Sequence, residues 1–219
     1  MTVALRGPRR LKPMSETGTR EIGLRERKRQ RMYAHVSDVA VRLFLEKGFD
    51  AVSVAEVAAA AEISKPTLFR YFPSKEDLVL YRIADHEDEA ARVVVGQARP
   101  IDALRRHFLD GLERGDPVTG LSDHPEVLAF HRLLYGSPSL VARAHAHVER
   151  SEAALAEALG GGLQARLAAG QILAVQRILA MENWRRIAAG EQVAEVRPDA
   201  TAAAERAFAQ LAAGMPHLA

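Results

Sequence analysis

Ser64-Lys-Pro-Thr-Leu-Phe-Arg-Tyr-Phe-Pro-Ser-Lys-Glu-Asp-Leu78 sets three aromatic residues and an arginine side by side at positions 69–72, between lysines at 65 and 75. The 219-residue chain has only seven Phe, four Tyr and one Trp, so this crowding is a local feature with a local cause. Ser64 reads as a helix N-cap, and Pro66 is tolerated in the first turn, where amides lack intrahelical partners. Pro73 stops the helix, and Ser74 with Asp77 forms a capping box for the next one. With Leu68 as origin, Phe72 lies at about 40°, Phe69 at about 100° and Tyr71 at about −60° on a helical wheel. Thr67 and Arg70 fall at about −100° and −160°. Leu68 and Phe72 therefore face a core, the other two rings flank that seam, and Thr67 and Arg70 face away. An apolar back and a polar, basic front suit a helix that enters a major groove N-terminal end first. The alternative is a small amphipathic helix whose rings serve only packing.

Outward from this stretch the pattern stays helical. A first helix is expected over Leu24–Lys47, with Met32, Val36, Val39, Ala40, Leu43 and Phe44 at helical spacing. Ser53 with Glu56 caps a second helix to about Ala60, and Ala61–Ile63 is a short turn. Three short helices, each punctuated by a serine, have the grammar of a helix-turn-helix. Longer helices follow: Lys75 to about Gln97, Ile101–Arg114, Glu126–Tyr135, Leu140 to Leu159, Leu163–Ala189, and a last one opened by Pro198.

The whole chain carries a net charge of only +2, yet residues 1–31 hold ten Lys/Arg against three Glu, which leaves the remainder acidic. A basic arm on an acidic body suits a polyanion at one end; a solvated tail is the plainer reading. No cysteine is present, which excludes disulfides and thiolate metal sites. No apolar run approaches a membrane span and no secretory signal is evident, so a cytoplasmic location is expected.

Ser53–Ala58, Ala61–Phe72 and Pro73–Leu78 together resemble the DNA-binding domain of TetR-family transcriptional regulators. The resemblance covers about Leu24–Leu80. It implies an all-α fold: a flexible basic arm over 1–23, a three-helix helix-turn-helix DNA-binding domain over 24–80, and a helical effector-binding and dimerisation domain over 81–219. It further implies that Ser53, Ser64, Lys65, Thr67, Phe69, Arg70, Tyr71 and Lys75 contact double-stranded DNA, with Arg70, Lys65 and Thr67 reading bases and Ser53, Tyr71 and Lys75 holding phosphate. Position 69 is often Tyr in the family, and Phe69 lacks that hydroxyl. The expected function is a ligand-responsive regulator, most commonly a repressor, binding a palindromic operator as a homodimer whose last two helices pair across the two-fold axis.

Polar or aromatic residues that interrupt apolar faces in the middle helices are the candidates for an effector pocket: His107, Phe108, Phe130, His131, Tyr135, Gln176 and Asn183. A largely apolar lining would suit an apolar small molecule, and Trp184 is an interface or core anchor. Asp85-His-Glu-Asp-Glu89 reads as a solvated helix face. His145 and His147 point about 200° apart on a helix and cannot chelate together, so no metal is expected, nor any other cofactor. Gly160–Gly162 lacks the following Gly-Lys-Ser/Thr of a P-loop, and neither His-Glu-x-x-His nor Gly-x-Ser-x-Gly occurs. Catalysis is not expected. Two other classes remain open: an architectural DNA binder acting through its arm, and a helical binding module whose pocket is the whole function.

Overall fold

The computed structural model describes residues 24–84 and 86–219, so the arm expected over 1–23 lies outside the described residues. The chain is all-α, with no strand among those residues. The helices are α1 (Leu24–Lys47), α2 (Val54–Ala60), α3 (Lys65–Tyr71), α4 (Lys75–Ala84), α5 (Glu89–Val94), α6 (Pro100–Arg114), α7 (Pro125–Gly136), α8 (Pro138–Ala158), α9 (Gly162–Ala188) and α10 (Val193–Gly214), with 3₁₀ turns at Pro117–Thr119 and Pro216–Leu218.

Two apolar clusters organise them. The first collects Val36, Ala40 and Phe44 of α1, Val57 and Ala58 of α2, Leu68 and Phe72 beside α3, and Leu78–Leu80 of α4. It also takes Phe130 and Leu134 from α7 and Leu140 from α8. The second joins Leu104, Phe108 and Leu112 of α6, Leu155 of α8, Ile172 of α9 and Phe208 of α10. Each such buried side chain contributes about 1.5–3 kcal/mol by leaving water. Ser37 crosses the first core with a hydrogen bond from its hydroxyl to the Leu78 carbonyl, 2.7 Å. Asp77 joins α4 to α8 through two bonds from Arg143, 2.9 and 3.1 Å.

Two helices differ from their sequence reading. The helix expected from Lys75 to about Gln97 stops at Ala84 and resumes at Glu89. Short-range turn bonds replace the helical ladder between them: His86 N–H to Ile83, Glu87 N–H to Ala84 and Glu89 N–H to His86. The acidic segment is not a solvated face either. Glu87 accepts from His147 (2.8 Å) and Arg150 (2.7 Å) of α8, while Glu89 bonds His107 of α6 (2.8 Å) and His86 (2.6 Å). Pulling two carboxylates toward two different helices outweighs the modest helix propensity of four polar residues.

The last helix opens five residues before Pro198, at Val193. Gln192 and Glu195 form a reciprocal capping box there. Pro198 sits inside the helix and forfeits the one amide bond that its position would have made.

Candidate nucleic-acid interface and ligand cavity

Serine caps set the recognition unit. The Ser53 hydroxyl accepts from the Glu56 amide while Glu56 accepts from the Ser53 amide, 3.1 and 2.8 Å. Between α2 and α3 the chain turns at Glu62, which takes a left-handed φ of 56°. The Ile63 amide reaches back to the Ala58 carbonyl, 2.9 Å, closing the C-terminal end of α2. Ser64 then caps α3 through the Thr67 amide (3.2 Å), and the two hydroxyls share a further hydrogen bond of 2.8 Å.

Leu68 and Phe72 are buried, whereas Lys65, Phe69 and Arg70 are exposed and Thr67 and Tyr71 are partly so. Phe69 is 42% exposed, a large ring left on the outer face. Tyr71 and Phe72 pack against Tyr33 of α1 with ring centroids 4.9 and 5.2 Å apart, and Tyr81 of α4 stacks on Tyr33 at 5.5 Å. Edge and stacked ring pairs add about 0.5–1.5 kcal/mol each beyond burial. The crowding at 69–72 thus has two causes: two of its rings fasten a two-turn helix to its neighbours, and the third lies outside.

Lys65 approaches the Phe69 ring at 5.9 Å and Arg70 the Tyr71 ring at 5.5 Å. Neither makes an ion pair among the described residues, so the outer face of α3 presents positive charge without a neutralising carboxylate.

Lys75 is placed differently. Its ammonium donates to the Phe49 carbonyl and lies over the Phe49 and Phe44 rings, 4.4 and 5.5 Å from their centroids. It ties the start of α4 to the end of α1. Lys75→Met keeps the aliphatic stem but removes the donor, and should destabilise the fold by about 1–2 kcal/mol. A thermal melt checks this: a lowered midpoint is expected, and an unchanged one would leave Lys75 only a role toward phosphate.

A cavity of about 410 Å³ opens between α5–α9 and the Pro117–Thr119 turn. His107, Phe108, His131, Tyr135 and Gln176 line it, as anticipated for a pocket. Phe130 and Asn183 do not. Phe130 points into the first core beneath the Arg82 guanidinium, 5.9 Å away, because one helical step turns it 100° from His131. Asn183 is buried and donates its Nδ2–H to the Thr119 carbonyl, 2.9 Å, locking the 3₁₀ turn onto α9.

Sequence reasoning missed several walls: Trp184, His86, Glu87, Glu89 and His147. Trp184 was legible as an anchor but not as a cavity wall. The others pair across 18 and 60 residues, a separation that leaves no local signal.

Rings of α7 and α9 form one side of the cavity. Trp184 lies 5.8 Å from His131 and 5.3 Å from Tyr135, centroid to centroid. His131 Nδ1 and Trp184 Nε1 are shielded from solvent and have no hydrogen-bond partner. Burial pushes the His131 imidazole toward its neutral form. The Tyr135 hydroxyl is pushed up by burial, opposed by Arg177.

Glu89, Glu87 and Asp77 are all held below their ordinary range. Glu89 is lowered to about 2 by the hydrogen bond from His86, joined by that from His107 and opposed by burial. Glu87 is lowered by Arg150 and then His147. Burial alone would raise Asp77, but Arg143 and Ser74 outweigh it. These groups stay ionised in the folded chain at pH values where the unfolded chain would take up protons. Their stabilisation is complete above the unfolded value, 4.5 for Glu89, and is lost as pH falls through about 2. The melting temperature should decline across that window, and Glu89→Gln should flatten the decline. An unchanged slope in the variant would contradict the assignment.

No group of three or more metal-ligating side chains is positioned to hold an ion, and no helix is long and apolar enough to cross a membrane, among the described residues.

Comparisons with known proteins converge on the same unit. Residues 37–81 match the family described as bacterial regulatory proteins, tetR family. The HTH-type transcriptional regulator TcmR of Streptomyces glaucescens is 31% identical over 135 residues, covering 59% of this chain and 58% of its own length. The chain therefore spans less than two thirds of that relative. Among solved structures, NalD of Pseudomonas aeruginosa, the secondary repressor of the MexAB-OprM multidrug efflux pump, aligns with a TM-score of 0.54 at 15% identity, over 83% of this chain and 96% of NalD. SmeT in complex with triclosan aligns with a TM-score of 0.51 at 15% identity, over 84% of this chain and 91% of SmeT. At these identities the two structures share the fold. The family match falls on α1–α4, where the serine caps and the α3 seam lie: over residues 37–81 the chain is similar to bacterial regulatory proteins of the tetR family.

Proposed function

We propose that the chain is a ligand-responsive transcriptional regulator that binds a palindromic operator as a homodimer and is released by a small, largely apolar effector. The family matched over residues 37–81 is one of regulators rather than enzymes, so no catalytic role is proposed. Repression is the outcome proposed, as for NalD, a repressor with the same fold.

One observation carries the reading: α7 serves both parts of the molecule. Phe130 and Leu134 sit in the core that holds the recognition unit, while His131 and Tyr135, one residue further on in each case, line the cavity. A ligand against His131 and Tyr135 acts on a helix that cannot turn without displacing Phe130 under Arg82 and against α1. Release then requires that the ligand bind the two arrangements with different affinity. In this account Lys65, Thr67 and Arg70 read bases, Ser53 and Tyr71 hold phosphate, and Phe69 packs against the sugar–phosphate edge.

Leu163, Leu167 and Ile178 leave apolar side chains 61%, 50% and 58% exposed along α9, a face suited to a second copy of the chain. Sedimentation velocity with DNase footprinting tests the assembly. The expected result is a dimer that Leu167→Glu converts to monomer, protecting two half-sites related by a two-fold axis. A monomer protecting one half-site would contradict the proposal.

A further inference from the structure

The cavity carries more ionisable chemistry than an apolar ligand requires. Five of the chain's eight histidines line it: His86, His107, His131, His145 and His147. His107 and His147 each present one ring nitrogen to a carboxylate that is itself fixed from a second side. His107 Nε2 lies 2.8 Å from Glu89 Oε1, whose other oxygen is 2.6 Å from His86 Nδ1. His147 Nδ1 lies 2.8 Å from Glu87 Oε2, whose other oxygen accepts from Arg150 Nε at 2.7 Å. An ionised carboxylate only accepts, so the facing nitrogen of each ring carries the proton. That leaves His107 Nδ1 and His147 Nε2 as the second nitrogens, with no protein partner among the described residues. A carboxylate behind an imidazole fixes the ring's tautomer and orientation. Both rings line the same cavity as the Phe108, Tyr135 and Trp184 walls.

On the reading that this cavity takes the effector, we infer that the effector is an apolar body bearing an acidic O–H, a carboxylic acid or a phenol, whose oxygen pairs with His107 and His147. A phenol donates its O–H to the second nitrogen of a neutral ring, with no proton transferred. A carboxylic acid, already ionised in neutral water, pairs with the ring in its protonated form, the proton drawn from solvent. Glu89 and Glu87 stand behind the imidazolium when a carboxylate is bound, and orient the neutral ring when a phenol is. A neutral body without the acidic group would gain the apolar walls but leave both nitrogens unused.

Isothermal titration calorimetry on the full chain tests this with matched pairs: 2-naphthoic acid against 2-naphthamide, and 2-naphthol against 2-methoxynaphthalene. The acidic member of at least one pair should bind tenfold or more tightly than its blocked partner, and which pair shows it distinguishes carboxylate from phenol. His107→Leu with His147→Leu should abolish that preference. Equal binding within both pairs, or a preference that survives the double substitution, overturns the inference but leaves the cavity as an effector site. Failure of all four compounds to bind at millimolar concentration overturns the inference and counts against the effector reading too. The wild-type comparison decides even where the double variant melts early.

Discussion

Gly120→Ala should cost about 3–5 kcal/mol of stability, among the largest losses available to a single methyl group in this chain. Gly120 has a left-handed φ of 73°, and a Cβ built there falls 1.9 Å from the Ala180 carbonyl oxygen and 3.0 Å from the Trp184 amide nitrogen. Those atoms are α9 backbone and cannot turn aside as a side chain would. The turn must lift from α9, which breaks the buried bond from Asn183 to Thr119 and strands both groups, at roughly 1–3 kcal/mol before strain is added. Gly190→Ala is the control. It has a φ of 100° but open space around its Cβ, so it pays only the conformational cost, about 1–2 kcal/mol. A thermal melt should separate the two variants by several degrees. Equal midpoints would show that the turn is not clamped to α9. Because Trp184 lines the cavity beside this turn, Gly120→Ala should also alter the chain's single-tryptophan emission.

The second large effect concerns affinity rather than folding. Arg70→Ala should weaken operator binding by about 1–3 kcal/mol per half-site, roughly ten- to hundredfold, and relax base preference at one position. Arg70 is exposed, makes no ion pair among the described residues, and stands on a seven-residue helix that offers few other base readers. Its removal should leave the folding stability within about 0.5 kcal/mol of wild type, as for surface substitutions generally. Binding to a panel of single-base operator variants checks this. Uniform weakening across the panel would assign Arg70 to phosphate instead of base edges.

How much of this was legible in the sequence depended on how local the cause was. Ser53, Ser64 and Ser74 announce their helices because a cap and its amide lie three residues apart, and the structure forms all three. The seam of Leu68 and Phe72 follows from helical phase alone. The break after Ala84 does not, because it depends on His107, His147 and Arg150, residues far along the chain. Pro198 read as a helix start because proline favours first turns, whereas the true start uses Gln192, a weaker capping signal. Among the cavity candidates, His131 and Phe130 are neighbours in sequence, yet one lines the cavity and the other packs in the core. Only the direction in which α7 lies could separate them. Asn183 shows the other ambiguity: a polar side chain on an apolar face served a backbone carbonyl, not a ligand.

The central claim is that α3 reads a sequence and does not merely hold a polyanion. Fluorescence anisotropy of the full chain on DNA from upstream of its own gene, against scrambled DNA of equal length over a salt series, tests it most directly. The account predicts a preference of several kcal/mol for the native fragment, affinity that falls as salt rises, and retention of that preference when residues 1–23 are deleted. Equal affinity for both DNAs, lost entirely with the arm, would contradict it and make the protein an architectural binder.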